Sequence, residues 1–196
     1  MTEEIHLAHL PPELKLYITC YTDVQNAAEL REQLLSANQE FNYAFLDASS
    51  ILSRRHVLAA CFRAMNDHIH GRLKSNNVQS EIVFCLSPNN NIGEAFRTFG
   101  IQDNSNNLVI VKAAENQSLN RESVDRHLAT SVKGTRVNFT DQWLSGVCDL
   151  DKIRKTYKIA KIRQSEKAVN GAGPSTNERN HIETQVLGFM ALRGAS

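Results

Sequence analysis

Leu14-Lys15-Leu16-Tyr17-Ile18-Thr19-Cys20-Tyr21 is the stretch from which the fold is read. It is rich in β-formers and alternates at its start, which predicts a strand. The period then changes. Asp23 can cap a helix whose apolar positions Val24, Ala27, Leu30 and Leu34 recur at helical spacing. Residues 43–46 read as a second strand. Ser53 can cap a helix in which Leu58, Cys61, Phe62, Met65 and Ile69 form one apolar stripe at steps of three and four, and Gly71 ends it. Ile82-Val83-Phe84-Cys85-Leu86 is a continuous apolar run, which predicts a central strand buried on both faces. The turn and capping residues Ser87-Pro88-Asn89-Asn90-Asn91 close it. Ile92, Ala95, Phe96 and Phe99 mark a short amphipathic helix, with Gly100 placed as a left-handed C′ glycine and Ile101 as the apolar residue after it.

The second half repeats the alternation. Residues 108–111 predict a strand, 119–132 a helix, 134–139 a short edge strand, and Asp149 caps a helix from 150 to about 162. The stretch 164–180 breaks the pattern. It is rich in Gly, Pro, Ser, Asn and Thr, with Val169 as its one branched apolar residue, and predicts a flexible insertion. Ile182, Val186, Phe189, Met190 and Leu192 then cluster on a last helix, which must dock on its own domain or on a partner. The expected architecture is mixed α/β (α+β): one domain over 1–163 with a sheet of about four to five strands flanked by helices, the insertion 164–180, and a terminal helix within 181–196.

Composition bounds the function. The chain has 196 residues, 41% hydrophobic and 22% charged, which is ordinary for one globular domain. A wholly disordered chain, a collagen-like chain and a small disulfide scaffold are excluded. The formal charge of +1 carries no global basic excess, so any nucleic-acid site must be a local patch. Glu3 and Glu4 stand where a signal peptide would carry basic residues, and no apolar run approaches the ~20 residues of a membrane span. Cys20, Cys61, Cys85 and Cys148 are widely spaced, and three lie in apolar stretches. They read as reduced thiols of a cytosolic or nuclear protein.

The sequence carries none of the common catalytic motifs. The chain has no G-x-x-x-x-G-K-[ST] loop, no G-x-G-x-x-G, no G-x-S-x-G and no C-x-x-C. His68 and His70 are two apart on a predicted helix and point to different faces, a poor metal pair. Weight shifts towards a binding or regulatory protein, with no metal and no cofactor expected. Two further classes stay open: a small α/β enzyme with an unrecognised pocket, and a stand-alone single-stranded RNA binder.

Four features could carry function. Ser53-Arg54-Arg55-His56 puts three basic side chains into the first turn of a helix, the wrong end for cations but a suitable one for phosphate. The same arginines could instead reach solvent or pair with Asp47. Ser87-Pro88-Asn89-Asn90-Asn91 offers amides able to read base or sugar edges, while one asparagine suffices to cap the next helix. Lys152, Arg154, Lys155, Lys158, Lys161 and Arg163 wrap around a helix, which a solvated surface explains as readily as nucleic-acid contact. The terminal helix with Phe189, Met190 and Leu192 can pack inward, meet a partner, or do both.

Several stretches together resemble a known family. They are Glu81-Ile82-Val83-Phe84, Leu86-Ser87-Pro88-Asn89-Asn90-Asn91-Ile92, Glu94-Ala95 and Phe99-Gly100-Ile101. The basic helix start Ser53-Arg54-Arg55-His56-Val57-Leu58-Ala59, the late basic helix Ile153-Arg154-Lys155-Thr156-Tyr157-Lys158-Ile159 and the terminal Met190-Ala191-Leu192-Arg193-Gly194 agree with them. The chain resembles the TPRKB family, the small kinase-binding subunit of the KEOPS (EKC) complex, over essentially its whole length except 164–180. The resemblance implies a single α/β domain that is not an enzyme. It implies binding to the N-lobe of a PRPK-type atypical kinase, support of its ATPase activity, and help in recruiting tRNA through the single-stranded 3′ CCA end for threonylcarbamoyladenosine formation. Fungal members are also linked to telomere upkeep and transcription. Carried onto this sequence, it makes Val186, Leu187, Met190, Leu192, Phe96 and Phe99 the kinase-contact candidates. Arg54, Arg55, His56, Asn89, Asn90 and Lys158 become the tRNA candidates. No membrane and no small-molecule substrate are implied.

Overall fold

The opening stretch forms the strand that organises the sheet. In the computed structural model, which describes residues 1–114, 119–160 and 176–193, Lys15–Thr22 (β2) pairs antiparallel with three neighbours. Glu3–Ile5 (β1) and Thr135–Val137 (β5) lie along one of its edges, and Leu108–Ala114 (β4) along the other. Ala44–Asp47 (β3) pairs with the far edge of β4, giving the order β1-β2-β4-β3 with β5 on β2. The register sets Tyr17 opposite Lys112 and Phe45 opposite Ile110. A period of two sorts the side chains. Leu16, Ile18, Cys20, Leu46, Val109 and Val111 enter one apolar cluster, and Tyr17, Tyr21, Phe45, Leu108 and Ile110 enter another.

Helices cover both faces. Ala27–Leu35 (α1) and Arg121–Ser131 (α5) close the face of the tyrosines, through Ala27, Leu30, Val124 and Leu128. The other face carries Arg54–Ile69 (α2), Val78–Cys85 (α3), the end of Ile92–Phe99 (α4), Asp141–Val147 (α6), Leu150–Tyr157 (α7) and Thr176–Leu192 (α8). Local signals set most of the boundaries. Ser53 accepts the His56 N–H at 3.2 Å, Asn91 accepts that of Glu94 at 2.9 Å, and Asp149 accepts that of Lys152 at 2.9 Å. Gly71 follows α2 at φ +64, the left-handed conformation a C′ glycine supplies.

The structure corrects several expectations. Residues 82–86 are not a strand. They lie in and just after α3, with Ile82, Val83, Phe84, Cys85 and Leu86 all buried. An apolar run serves a helix enclosed on every side as well as a central strand. Here the capping chemistry decides: Asn77 accepts the Ser80 N–H, and Glu81 gathers the Lys74 and Ser75 N–H groups. Asp23 caps nothing. It adopts φ 54, and α1 begins after Asn26, whose amide is turned to Ser131 O and Lys133 N. Gly100 is extended (φ −75, ψ 162) rather than left-handed. It pairs with Leu46, and glycine is needed because a Cβ there would lie 2.7 Å from Phe96 O. The helix after Asp149 ends at Tyr157, not near 162, because Lys158 turns left-handed at φ 55. β1 and α6, the latter capped by Thr140, have no counterpart in the sequence reading. α8 starts at Thr176, inside the stretch assigned to the insertion, while residues 164–175 of that stretch lie outside the described residues. Among the described residues no helix is long and apolar enough to cross a membrane.

Candidate partner and nucleic-acid interfaces

α8 is fastened to its own domain. Ile182, Val186 and Met190 recur every four residues, so they share one helix face, and all three are buried in the core cluster on that side of the sheet. Polar contacts fix its ends. Arg179 donates to Leu52 O at 2.6 Å just before α2 begins. Arg63 of α2 donates to Met190 O and Arg193 O, satisfying carbonyls that a helix end leaves open. Arg193 turns back onto Ser87 O at 3.3 Å and Phe84 O, with its guanidinium 4.0 Å from the Phe84 ring. Arg154 of α7 pairs with Glu178. Phe189 (42%), three residues on from Val186, and Leu192 (66%) are exposed along one flank of α8, while Leu187 on the other flank is half-buried.

This placement divides the kinase-contact candidates. Leu192 is available and Leu187 partly so. Val186 and Met190 are corrected: they pack inward and offer no side chain to a partner. Phe99 is corrected likewise, lying buried between His56 and Tyr157 at ring distances of 6.1 and 6.2 Å. Phe96 is exposed but lines a cavity to which α8 contributes no residue, so the structure does not bring it to Leu192. Phe189 and the arginine clasp of Arg63, Arg179 and Arg193 are not among the kinase-contact candidates the sequence offers. Phe189 was visible as part of the terminal apolar cluster. The arginines gave no pattern, because their partners are backbone carbonyls distant in sequence.

The tRNA candidates separate too. His56 is corrected: it is fully buried and cannot touch RNA. Its Nδ1 accepts the Leu52 N–H at 3.2 Å, so Nε2 carries the proton and donates to Tyr157 Oη at 2.7 Å, and Tyr157 donates onward to Leu86 O. Burial holds the imidazole pKa down at about 3, so the ring is neutral at physiological pH. Arg54 pairs with Glu3 at 2.8 Å, stacks 4.5 Å over Phe139 and donates to Phe139 O. Its intramolecular partner is thus Glu3, not Asp47. Arg55 is 78% exposed and pairs with Glu183 at 3.5 Å, beside the first half of α8.

The Ser87–Asn91 loop stands on a braced root. Tyr157 holds Leu86 O and Arg193 holds Ser87 O, which brings the ends of α7 and α8 to the loop. Asn89 accepts from Ser87 Oγ and the Asn91 N–H, and donates to Glu94 at 3.0 Å. Asn90 is exposed. Lys158, also exposed, ends α7. Within the basic run Arg154 is engaged by Glu178 and Lys152 donates to Ser49 Oγ at 3.0 Å, leaving Lys155 and Lys158 outward. Lys161 and Arg163 lie outside the described residues.

Asp67, Glu81 and Cys85 bring potential ligand atoms within 4.8 Å of one another. The donor set is already engaged. Glu81 accepts from Lys74 N, Ser75 N and Ser75 Oγ, and Asp67 pairs with Arg72 at 3.1 Å. Burial pushes the Cys85 thiol up to about 11, and Arg193 lies 3.4 Å from its sulfur. The cluster ties α2 to α3. Burial also raises Cys61 and Cys148, so these thiols stay protonated at neutral pH.

The chain is thus a three-layer domain with a clasped terminal helix, exposed apolar side chains on the flank of that helix and a braced polar loop beside it. The chain belongs to the family described as kinase binding protein CGI-121, whose sequence model matches residues 21–194. Among its relatives, the EKC/KEOPS complex subunit cgi121 of Aspergillus terreus is 48% identical, covering 99% of this chain and 97% of that protein. The subunit of the same name from Aspergillus fumigatus is 46% identical over the same shares. That of Schizosaccharomyces pombe is 35% identical, covering 94% of this chain and 97% of that protein.

Proposed function

We propose that this chain is a non-catalytic KEOPS/EKC subunit that binds and activates a PRPK-type kinase through the outer side of α8 and helps hold the 3′ end of tRNA for threonylcarbamoyladenosine formation. The observation that carries the reading is the coincidence of membership in a kinase-binding family with a terminal helix that is anchored on the core and exposes Phe189 and Leu192 on its flank. Anchoring matters because a partner then meets a surface already ordered, with little entropy left to lose. For tRNA the supporting groups are Arg55, Asn89, Asn90, Lys155 and Lys158, the exposed members of the two basic stretches and the loop. The same reading assigns the protein to cytoplasm and nucleus.

Co-elution of the full chain with the kinase tests the first half. Leu192→Glu is expected to abolish co-elution while leaving the melting temperature within about 2 °C, because surface changes away from packed features fall within about 0.5 kcal/mol. Retained co-elution would remove α8 from the interface. The second half is tested by salt titration of tRNA binding. Arg55→Glu is expected to weaken binding several-fold and to lower the slope of log K against log salt by about 1. An unchanged slope would take Arg55 out of the RNA contact.

A further inference from the structure

A cavity of about 310 Å³ opens between the end of α1, the residues that follow it, and the paired helices α3 and α4. It lies at the β3 edge of the sheet, apart from α8 and from the Ser87–Asn91 loop, neither of which lines it. Its volume falls at the lower end of the roughly 300–1,000 Å³ typical of small-ligand sites. Phe45, Val83 and Ile101, all buried, form the floor, and Leu34, Phe41 and Phe96 form the walls. Phe96 and Phe41 place aromatic rings along this space, and Phe41 also meets His127 edge-on at 5.1 Å, a lining that favours a flat apolar body.

The polar lining narrows the ligand further. Several of its polar groups are spent inside the protein. Gln79 bonds both backbone groups of Ala113 at 2.6 and 3.0 Å, Asn77 caps α3, and Asn38 holds Gln33 at 2.7 Å. Among the described residues one charged side chain lines the cavity, Arg31, and no carboxylate does. Arg31 meets Asp103 through Nη1 alone, at 3.0 Å, and the Asp103 side chain is 66% exposed. An exposed pair of this kind contributes little and is readily exchanged for another anion. The N-terminus of α3, with its positive dipole end, borders the same space through Asn77 and Ser80.

We infer that this cavity binds a small monoanionic aromatic acid, with the ring between Phe41, Phe96 and Val83 and the carboxylate on Arg31. The inference goes beyond the docking function and does not depend on it. The test is saturation-transfer NMR on the full chain with three probes of one shape: 2-naphthylacetate, 2-naphthylacetamide and 2-naphthylethylamine. The acid is expected to bind, the amide about tenfold more weakly, and the amine not at all, since a carboxylate on a guanidinium is a strong charge-assisted contact. Arg31→Gln is expected to bring acid and amide to equal affinity. Phe96→Glu is expected to weaken the acid at least tenfold. Both side chains are partly exposed, and Arg31→Gln alone suffices should the second variant fold poorly. Absence of transfer from every probe, equal binding of acid and amide to the native chain, or an acid preference that survives Arg31→Gln would each overturn the inference.

Discussion

Val186→Asp is expected to destabilise the protein by about 3–5 kcal/mol and to release α8 from the domain. Val186 has no exposed surface and sits in the middle of the apolar face that α8 lays on the core. A carboxylate there has neither water nor a cation, and an uncompensated buried charge costs this much. The clasps at Arg179 and Arg63 each hold one end of the helix and cannot offset a charge between them. Loss of hydrogen-exchange protection confined to residues 178–193, together with a melting temperature lower by more than 10 °C, is the expected signature. Protection equal to that of the native chain would mean that α8 is not held as described. The consequence for function is indirect: a released α8 no longer presents Phe189 and Leu192 on an ordered surface, so kinase binding falls with it. Met190→Glu belongs to the same class, because Met190 is buried. It differs from Leu192→Glu, which touches the outer side alone.

Acid should destabilise the native chain through His56. Its folded pKa is depressed to about 3 from the ordinary 6.5 by burial. The contribution is fully present above pH 6.5. As pH falls the unfolded chain takes up a proton that the folded chain refuses, so stability is lost progressively from pH 6.5 down to about 3, on the order of 5 kcal/mol in all. The comparison is with His56→Gln. That variant can still donate to Tyr157 but leaves the Leu52 N–H unpaired, so it should be weaker at pH 7 by about 1–3 kcal/mol. It should also be flatter between pH 6.5 and 4, since Gln does not titrate. Parallel pH profiles for the two proteins would show that His56 does not govern this window. Asp125 enters below it: despite its partial burial, Thr2 and Arg136 hold it down to about 2, so its contribution is lost only towards the acid extreme.

Local chemistry in the sequence determined much of the fold. The strand through Tyr17 and Ile18, the caps at Ser53 and Asp149, and the stop at Gly71 follow from backbone preference and side-chain period. Both operate over a few residues and need no partner elsewhere. The family resemblance was legible for a similar reason, since it lay in the order and spacing of such segments. Where the chain could satisfy the same local rules in two ways, tertiary structure decided. The apolar run 82–86 suits a strand or an enclosed helix, and the cap at Asn77 with the Glu81 turn made it α3. His56 reads as one of three basic residues at a helix start. Packing against Phe99 and Tyr157 made it neutral and interior while Arg55, one position earlier, stayed in solvent. Arg63, Arg179 and Arg193 read as surface charge, and became the clasp because carbonyls 127 to 130 or 109 residues away were brought to them. Accessibility and long-range partners belong to the assembled chain. The sequence therefore determined which segments could form a docking protein, and the tertiary structure alone decided which of their side chains face outward to dock.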